Sequence, residues 1–181
     1  MDLIATIFRQ PIDDLHQRTS HRQAVRAIIR RGQELLMVYS PVNGDYKFPG
    51  GGVKRGEDHA AALRREVLEE CGAQITNVGS AFGKVIEYDL SELPWYDLFK
   101  MTAYYYLCEV DGTLQPLHLD GYEADLQFQP VWVEIEQALR TNRQVLENPD
   151  RLHPFWTRRE TIVLEEIAKN RGRIMPISTP E

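Results

Sequence analysis

Short apolar runs separated by polar turns make up much of the chain. Residues 24–29 and 35–39 are two β-rich runs on either side of the polar segment RRGQE. This arrangement predicts a β-hairpin. Residues 78–88 and 100–110 predict two more strands; the second contains TAYYYLCEV and ends at the turn signal DGT. The segment QPVWV predicts a further strand near the C-terminal end.

Helical spacing first appears over residues 58–71. Apolar side chains recur there at the spacing of one helix face: Ala60, Leu63, Val67 and Cys71. Asp58 is suited to the N-cap, and Gly72 is suited to end the helix. Two more helices are predicted, one over residues 134–139 and one from Thr157, where Thr157 and Glu160 have the spacing of a capping box.

The order of these elements favours an α+β fold. Strand patterns precede the first helix, which argues against a regular βαβ series. A chain of 181 residues is long enough to bury one core, and it contains no repeat or low-complexity linker. We therefore expect one domain over residues 21–170, with an N-terminal lead-in at 1–20 and a C-terminal tail at 171–181.

Composition narrows the class of protein. The chain is 43% apolar and 27% charged, close to the average of globular proteins. A net charge of −6 lacks the basic excess of a general nucleic-acid binder, so no nucleic-acid partner is expected. No apolar run is long enough to cross a membrane, and acids and a proline interrupt the first twenty residues where a signal peptide would be apolar. We expect a cytoplasmic protein without a membrane partner.

The cysteines and histidines indicate no familiar metal or disulfide pattern. Cys71 and Cys108 lie far apart and form no CxxC motif, so both are predicted to be buried, unpaired side chains. The histidines have neither HxxxH nor HExxH spacing: His16, His21, His59, His118 and His153. A zinc site is not predicted.

Three glutamates, Glu66, Glu69 and Glu70, fall within about one turn of the first predicted helix. Like charges at this spacing repel one another by about 0.2–0.5 kcal/mol per pair. Their positions turn them away from much of the apolar face, toward solvent or a cleft. A solvated acidic face is one explanation. A hard divalent cation such as Mg²⁺, which binds carboxylate and carbonyl oxygens, is another and would also relieve the repulsion.

A glycine-rich loop, SPVNGDYKFPGGGVKRGED at residues 40–58, precedes this helix. Glycine has no Cβ, so such a loop can bring a backbone carbonyl close to an ion held by the glutamates. Lys47, Lys54 and Arg55 lie in or beside the loop and could contact phosphate. Taken singly, each is better explained as an exposed loop charge.

The loop and the helix together resemble the Nudix box, G-x5-E-x7-R-E-U-x-E-E-x-G-U, where U is a bulky aliphatic residue. The matching residues are Gly51, Glu57, Arg65, Glu66, Val67, Glu69, Glu70 and Gly72. Only Ala73 departs, at a packing position where the family prefers Ile, Leu or Val. The segment FPGG before the box is also typical of the family. The resemblance implies a Nudix-type αβα sandwich with a mixed central sheet, and it covers the lead-in and the tail poorly.

The resemblance also implies site residues and their roles. Glu66, Glu69 and Glu70 would be metal ligands, joined by the Gly50 carbonyl. Glu66 would instead, or additionally, orient or deprotonate water, because the general base differs between members of the family. The cofactor would be Mg²⁺ or Mn²⁺, held beside the loop glycines Gly51 and Gly52. Arg65 and Glu57 would hold the ligand carboxylates in place, because a guanidinium can bind carboxylates bidentately.

Residues outside the box extend the resemblance. Many relatives recruit a further acid from the loop before a strand with a Trp-Val pair, here Trp132 and Val133. The segment GYEADLQ offers Glu123 and Asp125, of which Glu123 is preferred as a ligand or base. The alternative is that both acids are simply solvated.

Aromatic residues give weaker indications. Tyr104, Tyr105 and Tyr106 alternate across a predicted strand, so one face is core and the other could stack a nucleobase. Tyr88 lies in a region where some dinucleoside-polyphosphate-cleaving relatives have a tyrosine. His59 could touch substrate, although a surface position in the first helical turn explains it better.

The implied function is hydrolysis of a phosphoanhydride bond in a nucleoside diphosphate linked to another group, by metal-activated water. The partner would be a nucleotide or another diphosphate-containing small molecule, and a homodimer is possible because dimers are common in the family. A non-catalytic nucleotide sensor is an alternative, although it would not need the intact acidic set. An isoprenoid-diphosphate isomerase is a third, and it requires catalytic Cys and Glu positions that the sequence does not place.

Overall fold

The structure is a computed structural model, and it describes residues 1–149, 154–170 and 172. Its strands are β1 (Leu3–Phe8), β2 (Thr19–Arg31), β3 (Glu34–Ser40), β4 (Asp45–Lys47), β5 (Ala73–Leu90), β6 (Leu98–Leu114) and β7 (Gln129–Glu134). Its helices are α1 (His59–Cys71), α2 (Gly121–Asp125), α3 (Ile135–Glu147) and α4 (Phe155–Lys169). None of the helices described is long and apolar enough to span a membrane.

The strands form one mixed seven-stranded sheet. Its order is β1-β5-β6-β2-β3-β4, and β7 pairs with β3 on a separate branch. Strands β1 and β5 are parallel, as are β2 and β6, whereas β5 and β6 form a long antiparallel pair. Strands β2 and β3 meet as the predicted hairpin, in which Arg30 lies opposite Leu35. The α+β class is confirmed.

Helices cover the sheet on both faces. Alternate side chains of a strand point to opposite faces, so Val25 and Ala27 of β2 face one layer while Ile28 faces the other. The first layer is α1, whose Leu63 and Val67 join the core around Val25. The second layer contains α3 and α4, which pack against Ile28 and neighbouring strand residues. This arrangement is the predicted αβα sandwich.

Several elements differ from their predicted bounds. Strands β5 and β6 extend beyond 78–88 and 100–110, because the two strands remain paired through several bulges. Helix α3 continues to Glu147 instead of ending at 139, and residue 134 ends β7. Strand β1 lies within the predicted lead-in and pairs with β5, while β4 and α2 lie in segments predicted to be loops. The predicted tail lies outside the described residues, apart from residue 172.

The predicted capping box at the start of α4 is wrong. The helix begins at Phe155, and its N-cap is Pro154, which makes no side-chain cap. Thr157 is buried inside the first turns, and its Oγ1 donates instead to Asp45 Oδ2 at 2.7 Å. Glu160 is also buried; it accepts hydrogen bonds from Arg159 of the same helix and from the Tyr105 hydroxyl of β6. Both side chains therefore make contacts that join α4 to the sheet, which sequence spacing alone does not reveal.

A buried ionic network joins α4 to the sheet. Arg159 is 2% exposed; its Nη1 donates to Glu87 Oε2 at 2.5 Å and its Nη2 to Glu160 Oε1 at 2.7 Å. The Tyr105 hydroxyl donates to Glu160 at 3.3 Å, and Arg26 Nε lies 3.8 Å from the same residue. Burial, together with the Glu160 charge, raises the pKa of Tyr105 far above its ordinary value. The tyrosine therefore remains a neutral donor in this network.

The predicted state of the cysteines is confirmed. Cys71 and Cys108 are both buried free thiols. Burial raises the pKa of Cys108 to about 12 and raises that of Cys71 as well, the Glu70 charge adding to the second shift. Because the thiolate is the reactive form, both cysteines act as packing residues in the folded protein.

Arg159→Met should destabilise the protein by about 3–5 kcal/mol, because it leaves buried carboxylates without their main cation. The matched control is Arg143→Met. Arg143 is half-exposed and pairs with Glu165, so its replacement should cost about 1 kcal/mol or less. Urea unfolding measures both free energies. Equal losses in the two variants would contradict the importance assigned to the buried network.

Candidate active site

Helix α1 begins and ends as its sequence predicts. Asp58 is the N-cap, and its Oδ1 accepts a hydrogen bond from the Ala61 N–H at 2.7 Å. Gly72 ends the helix in the left-handed conformation, with a φ of 63°. Leu63 and Val67 are buried as predicted. These local signals determine which side of α1 faces the glycine-rich loop.

The loop before α1 is hydrogen-bonded to strand β2. The Val25 N–H donates to the Gly51 carbonyl and the Ala27 N–H donates to the Pro49 carbonyl, each at 2.9 Å. Gly50 lies between these bonds with a φ of +134°, and an added Cβ would lie 2.1 Å from the Val25 carbonyl oxygen. Only glycine fits there. An added Cβ at Gly51 would lie 2.4 Å from Glu66 Oε2, so the Glu66 carboxylate lies directly against the loop backbone.

Arg65 holds three carboxylates of the box together. Its Nε and Nη2 each donate to Glu57 at 2.9 Å, forming a bidentate pair. Its Nη1 donates to Glu66 Oε1 at 2.6 Å and to Glu69 Oε2 at 3.2 Å. Its Nη2 also donates to the Gly52 carbonyl at 3.1 Å. Arg65 therefore ties the acidic side of α1 to the loop.

These contacts shift the pKa values of the carboxyls in opposite directions. The bidentate Arg65 pair, helped by the Lys54 N–H, lowers the pKa of Glu57 to about 2. Burial raises the pKa of Glu66, and the Glu70 and Glu69 charges add to this effect against the hydrogen bond from Arg65. Negative charge around Glu66 is therefore only partly compensated by Arg65, and a further cation nearby would favour the ionised form.

Glu70 has a different environment from the one predicted. It is 1% exposed; its Oε1 accepts from Lys47 Nζ at 2.5 Å and its Oε2 accepts from the Gly50 N–H at 2.9 Å. Lys47 is itself buried and lies over the Phe128 ring at 4.4 Å. The expectations that Glu70 faces solvent or a cleft and that Lys47 is an exposed loop charge are wrong. The reason is strand β4, which pairs with β3 and brings Lys47 against α1.

The carboxylates fit a hard divalent cation in part. Carboxylate oxygens are the ligands that Mg²⁺ and related ions prefer, and Glu66 and Glu69 offer them beside the loop. Glu69 is partly exposed, while both oxygens of Glu70 already accept hydrogen bonds. Across residues 1–149, 154–170 and 172, no three His, Cys, Asp or Glu side chains are grouped so as to hold a metal ion. Glu66 and Glu69 could therefore hold the ion, whereas Glu70 would first have to separate from Lys47.

Glu123, the predicted acid outside the box, is buried rather than solvated. It lies in α2, its Oε2 accepts from the Asp120 N–H at 2.9 Å, and its carbonyl accepts from the Phe128 N–H at 3.1 Å. Because the Phe128 ring contacts Lys47, this segment reaches the buried end of the candidate site. Asp125 is exposed. The role of Glu123 as ligand or base stays a prediction.

A partly exposed aromatic group lies beside the start of α1. The ring of His59 lies 4.6 Å from that of Tyr104, its Nδ1 shares a 2.7 Å hydrogen bond with the Tyr106 hydroxyl, and its Nε2 lies 3.1 Å from Gln23 Oε1. Tyr105 points to the opposite face, into the core. Arg22 reaches the loop, since an added Cβ at Gly52 would lie 3.2 Å from its guanidinium. Gln23 and Arg22 could not be identified from sequence patterns, because their position depends on the β2–β6 pairing.

Fold and site together define an αβα sandwich whose acidic helix faces a glycine-rich loop. The NUDIX domain family matches residues 20–154, which is most of the chain. The chain belongs to the Nudix family, and the resemblance inferred from the box is confirmed. No curated protein matches it.

Several solved structures share the fold. A NUDIX hydrolase from Nitrosomonas europaea superposes with a TM-score of 0.56 at 16% identity, over 85% of this chain and 90% of that chain. The ORF135 protein of E. coli gives 0.52 at 24% identity, over 88% and 96%. The MutT protein of Methanosarcina mazei Go1 gives 0.52 at 21% identity, over 87% and 100%. At these identities the likeness shows the fold alone.

Arg65→Lys should raise the pKa of Glu57 from about 2 toward its ordinary value, because an ammonium cannot form the bidentate pair. A folded-state pKa below the unfolded value adds stability that is present above the unfolded pKa and is lost as pH falls toward about 2. The variant should therefore lose less stability than the wild type between about pH 4.5 and pH 2. Carboxyl NMR titration and acid unfolding measure the two effects. An unchanged Glu57 pKa would contradict the assigned pair.

Proposed function

We propose that the protein hydrolyses a phosphoanhydride bond in a nucleoside diphosphate linked to another group, with Mg²⁺ or Mn²⁺ as cofactor. The observation that carries the proposal is the position of Glu66. Its carboxylate lies against the Gly51 backbone, Arg65 holds one of its oxygens, and two further acids lie within one helical turn. The Glu66 carboxylate is therefore held in place, and its negative charge is only partly balanced by Arg65. Such a carboxylate beside a glycine-rich loop suits a site that binds a cation and a phosphate chain.

The roles of the residues follow from their contacts. Glu57 anchors Arg65, and Arg65 holds Glu66 Oε1, while Glu66 Oε2 lies beside the Gly51 backbone, where it would meet the ion. Glu66 and Glu69 would hold the ion, together with the Gly50 carbonyl. A bound divalent ion would neutralise phosphate oxygens and lower the pKa of a water molecule. The Gly51 and Gly52 backbone would lie close to the phosphates, since neither has a Cβ.

Glu66 is also our choice for the group that receives the proton of the attacking water. A general base works best when its pKa is moved toward the working pH, and burial moves the pKa of Glu66 upward. Glu123 is the alternative. Its Oε2 already accepts the Asp120 N–H and its side chain is buried, which favours a role in holding α2 and the Phe128 segment.

The partly exposed aromatic group of His59, Tyr104 and Tyr106 supports a nucleoside as one part of the substrate. Base stacking on an aromatic side chain contributes about 1–3 kcal/mol per base and tolerates different bases. Tyr104 and His59 present such a surface beside α1, and the Arg22 guanidinium lies beside Gly52 of the loop. We propose that the base stacks on Tyr104 and His59 while the diphosphate extends toward the loop.

A nucleotide sensor is the second candidate, because one specific contact favours it. Both Glu70 oxygens are occupied by protein donors, so one of the three predicted ligands is not available as it stands. The isomerase alternative has lost its support in the described structure. Burial raises the pKa of both thiols, so neither Cys71 nor Cys108 is suited to proton transfer at neutral pH.

Glu66→Gln should lower turnover by about 10²–10⁴-fold while the fold is retained, because the amide can neither hold the cation nor accept a proton. The measurement is product formation from a panel of dNTPs, ADP-ribose, nucleotide sugars, dinucleoside polyphosphates and CoA, each with Mg²⁺ and with Mn²⁺. Glu165→Gln is the matched control, since that acid pairs with Arg143 on the surface.

Full activity of Glu66→Gln on the substrate that the wild type cleaves would contradict the assignment. Calorimetry on the same panel distinguishes a nucleotide sensor from a hydrolase. Binding of a nucleotide without formation of any product, with either metal, would favour the sensor.

A further inference from the structure

The ion pair of Lys47 and Glu70 is the most enclosed charged contact at the site. The side chains are 6% and 1% exposed, and Nζ lies 2.5 Å from Oε1. The Phe128 ring lies 4.4 Å from the ammonium on another side, and the second Glu70 oxygen accepts the Gly50 N–H. Glu70 therefore has its charge balanced and both of its oxygens bonded by the protein itself.

The backbone that carries Lys47 is held firmly. Lys47 ends strand β4 and lies opposite Val38 of β3. The preceding residue, Tyr46, is bound on both backbone groups by the buried Asn142 of α3, whose Oδ1 accepts its N–H at 2.8 Å and whose Nδ2 donates to its carbonyl at 2.9 Å. The Cα of Lys47 is thus fixed by the sheet and by α3, whereas a four-carbon lysine stem is intrinsically flexible.

A divalent ion and the Lys47 ammonium cannot both have close contact with Glu70 without strong repulsion. Like charges in a buried site interact through a low effective dielectric, so the repulsion is much larger than at the surface. Arg65 does not create the same conflict, because it is more exposed and its hydrogen bond to Glu66 goes to Oε1, not to Oε2. The conflict is therefore specific to Lys47.

We propose that Lys47 is a built-in cation that competes with the divalent metal for Glu70 and thereby weakens metal binding. This inference rests on the proposed function, because it assumes a divalent ion at the box. It makes Lys47 a residue that sets metal affinity: the ion binds first through Glu66 and Glu69, and it gains Glu70 only when the ammonium moves away. Without Lys47, Glu70 is a buried carboxylate that lacks a cation, and the metal supplies one.

The test is Mn²⁺ binding to the full chain without substrate, measured by the EPR signal of free Mn²⁺. Lys47→Met removes the ammonium and keeps an apolar stem against Phe128, so it should lower the Kd for Mn²⁺ by about tenfold or more. Lys47→Arg keeps the charge and should bind no more tightly than the wild type. Lys169→Met changes the net charge equally at an exposed position and should also leave the Kd unchanged.

Thermal unfolding gives a second readout. Lys47→Met should unfold at a lower temperature than the wild type without metal, because Glu70 is left unpaired, and saturating Mn²⁺ should raise its midpoint by more than it raises that of the wild type. Circular dichroism checks the fold, and Lys47→Gln replaces Lys47→Met if the latter does not fold.

Equal Kd values for the wild type and the uncharged variants, or no detectable Mn²⁺ binding by any of them, would overturn the inference. Its failure is distinguishable from that of the proposed function. Tighter Mn²⁺ binding by Lys47→Met in a protein that cleaves nothing on the panel would support the inference and reject the hydrolase. If the wild type hydrolyses a substrate but the Lys47 variants bind Mn²⁺ with the same Kd as the wild type, the proposed function is supported and the inference about Lys47 is rejected.

Discussion

Repulsion among three carboxylates within one turn of α1 is the constraint around which the site is arranged. The carboxylates of Glu66, Glu69 and Glu70 repel one another, more strongly where they are buried, so positive charge beside them stabilises this turn. The chain supplies two cations of different kinds. Arg65 binds Glu66 and Glu69 from the more open side, and Lys47 binds Glu70 from the buried side. The divalent ion that we propose would be the third cation.

The fold makes this arrangement rigid. The glycine-rich loop is hydrogen-bonded to β2, and Gly50 and Gly51 allow it to approach Val25 and Glu66 more closely than any side chain would permit. On the opposite face of the sheet, the buried network around Arg159 holds α4 against β5 and β2. Two layers that differ in chemistry thus pack on the same sheet: one carries the candidate site, and the other carries the buried ionic network.

The parts that could be predicted from sequence are those determined by local spacing. Asp58, Gly72 and the buried face of α1 follow from helical periodicity and capping, and the box spacing gives the family. The contacts of Lys47 could not be predicted in this way, because they require β4 to pair with β3 and then meet a glutamate 23 residues later in the chain. For Thr157, local spacing gave a wrong prediction. Its spacing to Glu160 predicts a helix cap, but Thr157 is buried in the folded protein and its hydroxyl donates to Asp45 instead.

We propose that Arg65 and Lys47 balance the acidic turn of α1 until a divalent ion binds beside Glu66 and Glu69. The most direct measurement is anomalous diffraction from crystals of the protein grown with Mn²⁺. We predict a manganese peak within bonding distance of carboxylate oxygens of Glu66 and Glu69, next to the loop at Gly50. A fully occupied manganese site elsewhere in the protein, with no peak at this turn, would contradict the account.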